Sequence, residues 1–170
     1  MKWIGISGSR EALPGTKAEE DVRREVRDII TRGDGIVSGG ALGIDYFATD
    51  EALKLNPSAE QIKIFLPTTL EIYAKHYRSR AEEGVITKEA AEVLIQQLET
   101  LQKSNSESLI ENKGNAVVDK QTYYERNTDV MDASDEILAF RVTNSGGTQD
   151  TIDKAREKGT PVKEFNYKGL

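Results

Sequence analysis

Three short stretches put glycine and small polar residues where a strand should give way to a helix. They are "SGSR" at Ser7–Arg10, "SGGALGID" at Ser38–Asp45 and "SGGT" at Ser145–Thr148. Glycine lacks the Cβ that keeps a ligand away from the backbone. A helix starting at such a turn points free N–H groups and the positive end of its dipole outward. Together these make a preformed anion site, and phosphate is the usual occupant. On this reading Gly39, Gly40 and Gly43 let the N–H groups of one helix meet a phosphate. Gly146, Gly147 and Thr148 do the same from the opposite side, with the Thr148 hydroxyl as a further donor. Gly8, Ser9 and Arg10 reach the same crevice from the first loop, and Ser38, Ala41 and Ser145 complete the turns. "GGALGID" is not a P-loop, because Lys-Ser/Thr is absent, and it is not a dinucleotide fingerprint.

Other side chains extend this chemistry. Asp45 has two readings, a cap on its own helix or an acceptor for a ribose hydroxyl. Arg126 could fork onto a phosphate or carboxylate, with Asn127 bracing a loop. Tyr73, Tyr77 and Arg78 suit the stacking of a base, and suit equally a helix packed on a sheet. His76 has no evident partner carboxylate and is read as a bystander. No residue is assigned a catalytic role.

The elements that must position these groups alternate. "KWIGISGS" is an apolar run that ends in a loop. "TKAEEDVRREVRDIITRGDG" carries Val22, Val26, Ile29 and Ile30 at helical spacing, with Thr16 as the expected N-cap and Gly33 as the expected C-cap. "GIVSGG" reads as a strand, Gly43 to Leu55 as a helix, and "IKIFLP" as a strand closed by Pro67. Strand, helix, strand, helix, strand predicts a parallel sheet with helices on both faces and all three glycine turns on its carboxyl edge. "TTLEIYAKHYRSRAEEG" reads as a loop and short helix, "TKEAAEVLIQQLETLQK" as an amphipathic helix capped by Thr87, and "SNSESLIENKGN" as a polar excursion. A helix over "KQTYYERNTDVMDAS", a strand "EILAFRV", a helix from "GGTQDTIDKAREKG" and a strand "TPVKEFNY" complete the chain. The expected architecture is α/β: a Rossmann-like three-layer fold with a mainly parallel sheet of five or more strands. It forms one domain over residues 1–170, with an inserted helical segment at about 82–115.

Bulk properties narrow the function. At 170 residues and 18.9 kDa the chain suits one domain able to bury its own core. With no cysteine and one histidine, a metal centre is not expected, and no cofactor is expected either. There is no signal peptide and no run of about 18 apolar residues, so no membrane partner is expected and the predicted location is cytoplasmic. A net charge of −6 and a pI near 5.0 favour a nucleotide-like small molecule and disfavour single-stranded DNA as partner. Ala90, Leu94, Leu98 and Leu101 form a stripe that needs cover, which makes the insertion a candidate surface for a homo-oligomer.

Three stretches together carry a family resemblance: "GIVSGGALGIDYFAT", "YYERNTDVMDASDEILAF" and "SGGTQDTIDKAREKGTPV". They resemble the Rossmann-like SLOG superfamily, and most of all the central domain of the DNA-processing protein A (DprA/Smf) family. Its Ser-Gly-x-Ala-x-Gly-Ile-Asp turn is matched by Ser38 to Asp45, with Gly40 preceding Ala41. Its aromatic-x-x-Arg-Asn pair is matched by Tyr123 or Tyr124 with Arg126 and Asn127. Its later Ser-Gly-small-Thr turn and Gly-x-Pro-Val are matched by Ser145 to Thr148 and by Gly159 to Val162. The resemblance implies three functions. The first expectation is binding of a nucleotide-derived, phosphate-containing ligand in a sensor or sequestering role. The second is single-stranded DNA binding in a DNA-processing role. The third is hydrolysis of the N-glycosidic bond of nucleoside monophosphates, as in the superfamily's phosphoribohydrolases. Where those enzymes carry a glutamate after Gly-Thr, this chain has Thr151, which counts against hydrolysis.

Overall fold

The structure is a computed structural model and describes residues 1–142 and 146–168. Six strands form one sheet: β1 (Trp3–Gly8), β2 (Gly35–Gly39), β3 (Ile62–Phe65), β4 (Leu109–Ile110), β5 (Glu136–Val142) and β6 (Val162–Tyr167). Their order is β4-β3-β2-β1-β5-β6, and every pairing is parallel. The helices are α1 (Lys17–Thr31), α2 (Ile44–Leu55), α3 (Leu70–Glu82), α4 (Lys88–Ser104), α5 (Lys120–Asp132) and α6 (Gly146–Lys158). The architecture is the Rossmann-like α/β fold expected from the alternation.

Chain order fixes where a site can form. From β1 the chain steps outward through β2, β3 and β4; α5 then carries it back, and β5 pairs with the other side of β1. The direction of winding therefore reverses beside β1. In open α/β sheets the loops part at such a point and leave a crevice at the carboxyl ends of the strands.

Local chemistry explains the helix limits. The Thr16 and Thr87 side chains accept the backbone N–H groups of Glu19 and Ala90, and Gly33 takes φ 89° after α1. The core is aliphatic on the sheet, with Ile4, Ile36, Ile64, Ile137 and Phe140 fully buried. Val22, Val26 and Ile29 cover it from α1.

The middle of the chain differs from expectation in two ways. The "excursion" contains β4, whose two residues pair with Ile64 and Phe65, too short a run to show periodicity. The apolar stripe of α4 is Ala91, Leu94, Ile95, Leu98 and Leu101, and it is buried within the chain. Leu98 packs over Gly40, so the stripe supplies no exposed face for a second copy. No helix among the described residues is long and apolar enough to cross a membrane.

Candidate functional site

At the reversal point the carboxyl ends of β1, β2 and β5 open into a crevice of about 690 Å³. The loop Gly8–Glu11, the turn at Gly39 and Ala41, and the start of α6 form its base, and α5 forms one wall. His76 and Arg80 reach it from α3.

Arg126 is the unusual group. It is 8% exposed, and among the described residues its Nη1 has no hydrogen-bond partner. Its Nε lies 3.4 Å from the Asn127 amide oxygen, and its guanidinium carbon lies 5.3 Å from the centroid of the Tyr123 ring. Leaving a buried charged donor unmet costs more than an ordinary lost hydrogen bond. Gly39 makes room for this guanidinium, because a Cβ there would collide with it. Asp45 supplies nearby opposite charge. Burial pushes the Asp45 carboxyl up to about 6, against the opposing influence of Arg126, the Ser38 hydroxyl and the Ala41 N–H.

The two expected helix starts differ. At α2, Ile44 donates its N–H to the Ser9 carbonyl at 3.2 Å, so protein already occupies that donor. Gly43 caps this helix at φ 74°, and a Cβ there would strike the same Ser9 carbonyl. Replacing Gly43 with alanine is therefore expected to destabilise the fold by about 1–3 kcal/mol through combined φ strain and collision. A chemical denaturation curve measures it. Gly40 faces Leu66 and Leu98, and its carbonyl accepts the Tyr73 hydroxyl at 2.8 Å. At α6, Gly146 and Gly147 are exposed, and among the described residues a Cβ at Gly147 would meet nothing within 4 Å.

The remaining expected residues divide in the same way. Gly8, Arg10, Ala41, Asp45, Arg126, Asn127 and Thr148 line the crevice. Ser9 lines it too, but its hydroxyl latches β5 by exchanging hydrogen bonds of 3.0 Å with the backbone of Val142. Ser38 sits beneath the floor and donates to the Ile6 carbonyl at 2.8 Å. Ser145 lies outside the described residues. Asp45 is not the cap of α2, a position held by Gly43.

Tyr73, Tyr77 and Arg78 do not come to the crevice. Tyr73 and Tyr77 are core residues, 1% and 6% exposed, with ring centroids 4.9 Å apart. Neither offers a free face for a base. Arg78 is on the surface, bound to Glu92 at 2.8 Å. The exposed aromatic wall is instead Tyr123 and Tyr124, half-buried on α5.

Lys120 and Arg80 also line the crevice and were not singled out from the sequence. The available signal was spacing: Lys120, Tyr123, Tyr124 and Asn127 repeat at three and four residues along one helix face. His76, at the rim, has its pKa lowered by burial and by the charges of Arg80 and Arg10. The lining thus pairs the cations Arg10, Arg80, Lys120 and Arg126 with the carboxylates Glu11, Asp45 and Asp119. Asp119 is engaged as the cap of α5, accepting the Thr122 N–H. Four cations against three carboxylates leave this lining slightly positive on an acidic protein.

At the position expected of a hydrolase glutamate, the Thr151 hydroxyl donates to the Gly147 carbonyl at 3.3 Å. The neighbouring Asp150 carboxylate is paired with Lys154 at 3.0 Å and lies 3.4 Å from the Asn127 amide nitrogen.

Comparison with known proteins places this fold. A solved DNA processing protein A from Helicobacter pylori, described with a single-stranded DNA binding mode, superposes with a TM-score of 0.68 at 19% identity. The alignment covers 96% of this chain and 64% of that one. DNA processing protein A from Streptococcus pneumoniae superposes with a TM-score of 0.53 at 15% identity, covering 96% and 58%. The structural-genomics target TM1055 gives 0.56 at 14% identity, covering 95% and 72%. At these identities the likeness is one of fold, and the chain spans under two thirds of the length of both DNA processing proteins. No curated protein sequence matches. The family model for DNA recombination-mediator protein A matches residues 1–167, so the chain belongs to the DNA recombination-mediator protein A family.

Proposed function

We propose that the crevice binds single-stranded DNA, taking one nucleotide unit with its phosphate on Arg126 and the start of α6. The unpartnered, buried Nη1 of Arg126 carries this reading. A phosphate oxygen is the acceptor it lacks, and guanidinium–phosphate pairing is strong where water is excluded. Gly146 and Gly147, exposed in the first turn of α6, line the same space, where a helix start favours an anion. Tyr123 and Tyr124 offer rings for a base, and Arg10, Arg80 and Lys120 add cationic charge.

Family membership reverses the order of expectation set by net charge. A charge of −6 describes the whole surface, whereas a strand meets only the local field of the crevice. A free nucleotide is the second reading. It is favoured by the volume, about 690 Å³, which falls within the range of small-molecule sites.

The test is titration of a labelled octathymidylate at low and high salt, with thymidine monophosphate as competitor. The expected result is tight oligonucleotide binding that weakens steeply with salt, by about 0.7 in the log–log slope per neutralised phosphate. Tight, salt-insensitive binding of the mononucleotide with none of the oligonucleotide would support the second reading instead.

A further inference from the structure

A second depression of about 490 Å³ adjoins the crevice on the outer side of α5 and α6. It is lined by Lys120, Gln121, Tyr124, Glu125, Thr128 and Lys154. Lys120 and Tyr124 also line the crevice, so the two spaces are continuous along one wall.

The groups here suit a nucleic acid strand. Two ammonium groups flank one aromatic ring: Lys120 Nζ lies 5.4 Å and Lys154 Nζ 5.5 Å from the Tyr124 centroid. Lys154 Nζ also donates to the Tyr124 carbonyl at 2.8 Å and pairs with Asp150 at 3.0 Å, which holds its ammonium in the groove. The opposing carboxylate, Glu125, is engaged by amides, with Asn115 Nδ2 at 3.1 Å and Gln121 Nε2 at 3.4 Å. Lys120 can move from the ring onto a phosphate while a base takes the ring face, and Lys154, held in place, adds positive charge beside the strand.

We infer that this groove is a second strand-binding subsite, holding the nucleotides next to the one seated in the crevice. The inference rests on the single-stranded DNA reading above and extends it to residues outside the crevice. The crevice takes one phosphate deeply, on a buried arginine. The groove takes the neighbouring units shallowly, by stacking and by charge. Affinity therefore grows with oligonucleotide length until the groove is filled.

The test compares thymidylate dinucleotides and octanucleotides on the full chain, using Lys154→Gln and, separately, Thr128→Glu. Neither residue lines the crevice, and thermal melts check that both variants fold. For the octanucleotide, Lys154→Gln is expected to lower affinity several-fold and flatten the salt slope by about 0.7. Thr128→Glu, which plants a carboxylate in the groove, is expected to lower octanucleotide affinity at least as much. Dinucleotide affinity is expected to stay unchanged in both. Unchanged octanucleotide affinity in both variants, or equal losses at the two lengths, overturns the groove. Wild-type protein that binds neither length removes the single-strand reading and the groove with it, a failure seen before any variant is made.

Discussion

Arg126→Met is expected to reduce single-strand affinity by two to three orders of magnitude while leaving a folded protein. Removing one partner of a desolvated charge pair typically costs about 2–5 kcal/mol of binding. Methionine keeps an unbranched, apolar stem in the space beside Gly39 and Tyr123. The unbound fold loses a buried donor that had no partner, so part of the packing loss is offset. The variant leaves Asp45 buried without its nearby positive charge, and that carboxyl then takes up a proton more readily. Equilibrium titration of an octathymidylate measures the binding loss, and a thermal melt confirms the fold. Wild-type affinity in this variant would mean that the orphan nitrogen is not the phosphate donor.

The second large effect is on pH. Asp45 is held near 6, raised mainly by burial, and it faces the space into which a phosphate would come. Bringing a phosphate anion against Arg126 adds negative charge beside Asp45, which raises its pKa further in the complex. Binding is then coupled to proton uptake. Affinity is expected to rise as pH falls toward 6, by at most one decade per pH unit, and to level off below 6. Asp45→Asn is expected to flatten the profile near the low-pH level. His76 also gains charge in acid, but its lowered pKa places that step below its ordinary value near 6.5.

The same carboxyl affects stability with a definite sign. In the unfolded chain Asp45 ionises near 3.8, and in the folded chain near 6. The folded state holds the proton more tightly, so this group's contribution falls as pH rises from 3.8 through 6. At pH 7 the loss is on the order of 3 kcal/mol relative to acid. Asp45→Asn removes that slope. A carboxylate retained at such a cost in the unbound protein is consistent with a role in the crevice.

The fold was readable because its helices and long strands bury periodic faces. Val22, Val26, Ile29 and Ile30 state α1 without help, and apolar runs bounded by glycine or proline state β1, β2 and β3. β4 was not readable, because two residues carry no period. The turns were recognisable as turns but not as to occupant. Gly40 and Gly43 accommodate protein atoms, Leu66 and the Ser9 carbonyl, while Gly146 lies beside the Tyr124 hydroxyl and Gly147 meets none of the described residues, and the four look alike in one dimension. Tyr73 and Tyr77 illustrate the same limit from the other side. An aromatic at helical spacing points to core or to ligand according to which face the helix turns inward, and tertiary packing decides that. Arg126 was singled out by chemistry and family pattern; its missing partner is a property of three dimensions alone.

Photocrosslinking tests the central claim most directly. An octathymidylate carrying 4-thiothymidine is bound to the wild-type protein, irradiated, and the linked peptides are identified by mass spectrometry. Binding in the crevice predicts crosslinks concentrated on the peptides that carry Tyr123 and Tyr124 and on the one that carries His76, suppressed by Arg126→Met. Crosslinks confined to α1 or β6, indifferent to Arg126, would contradict it.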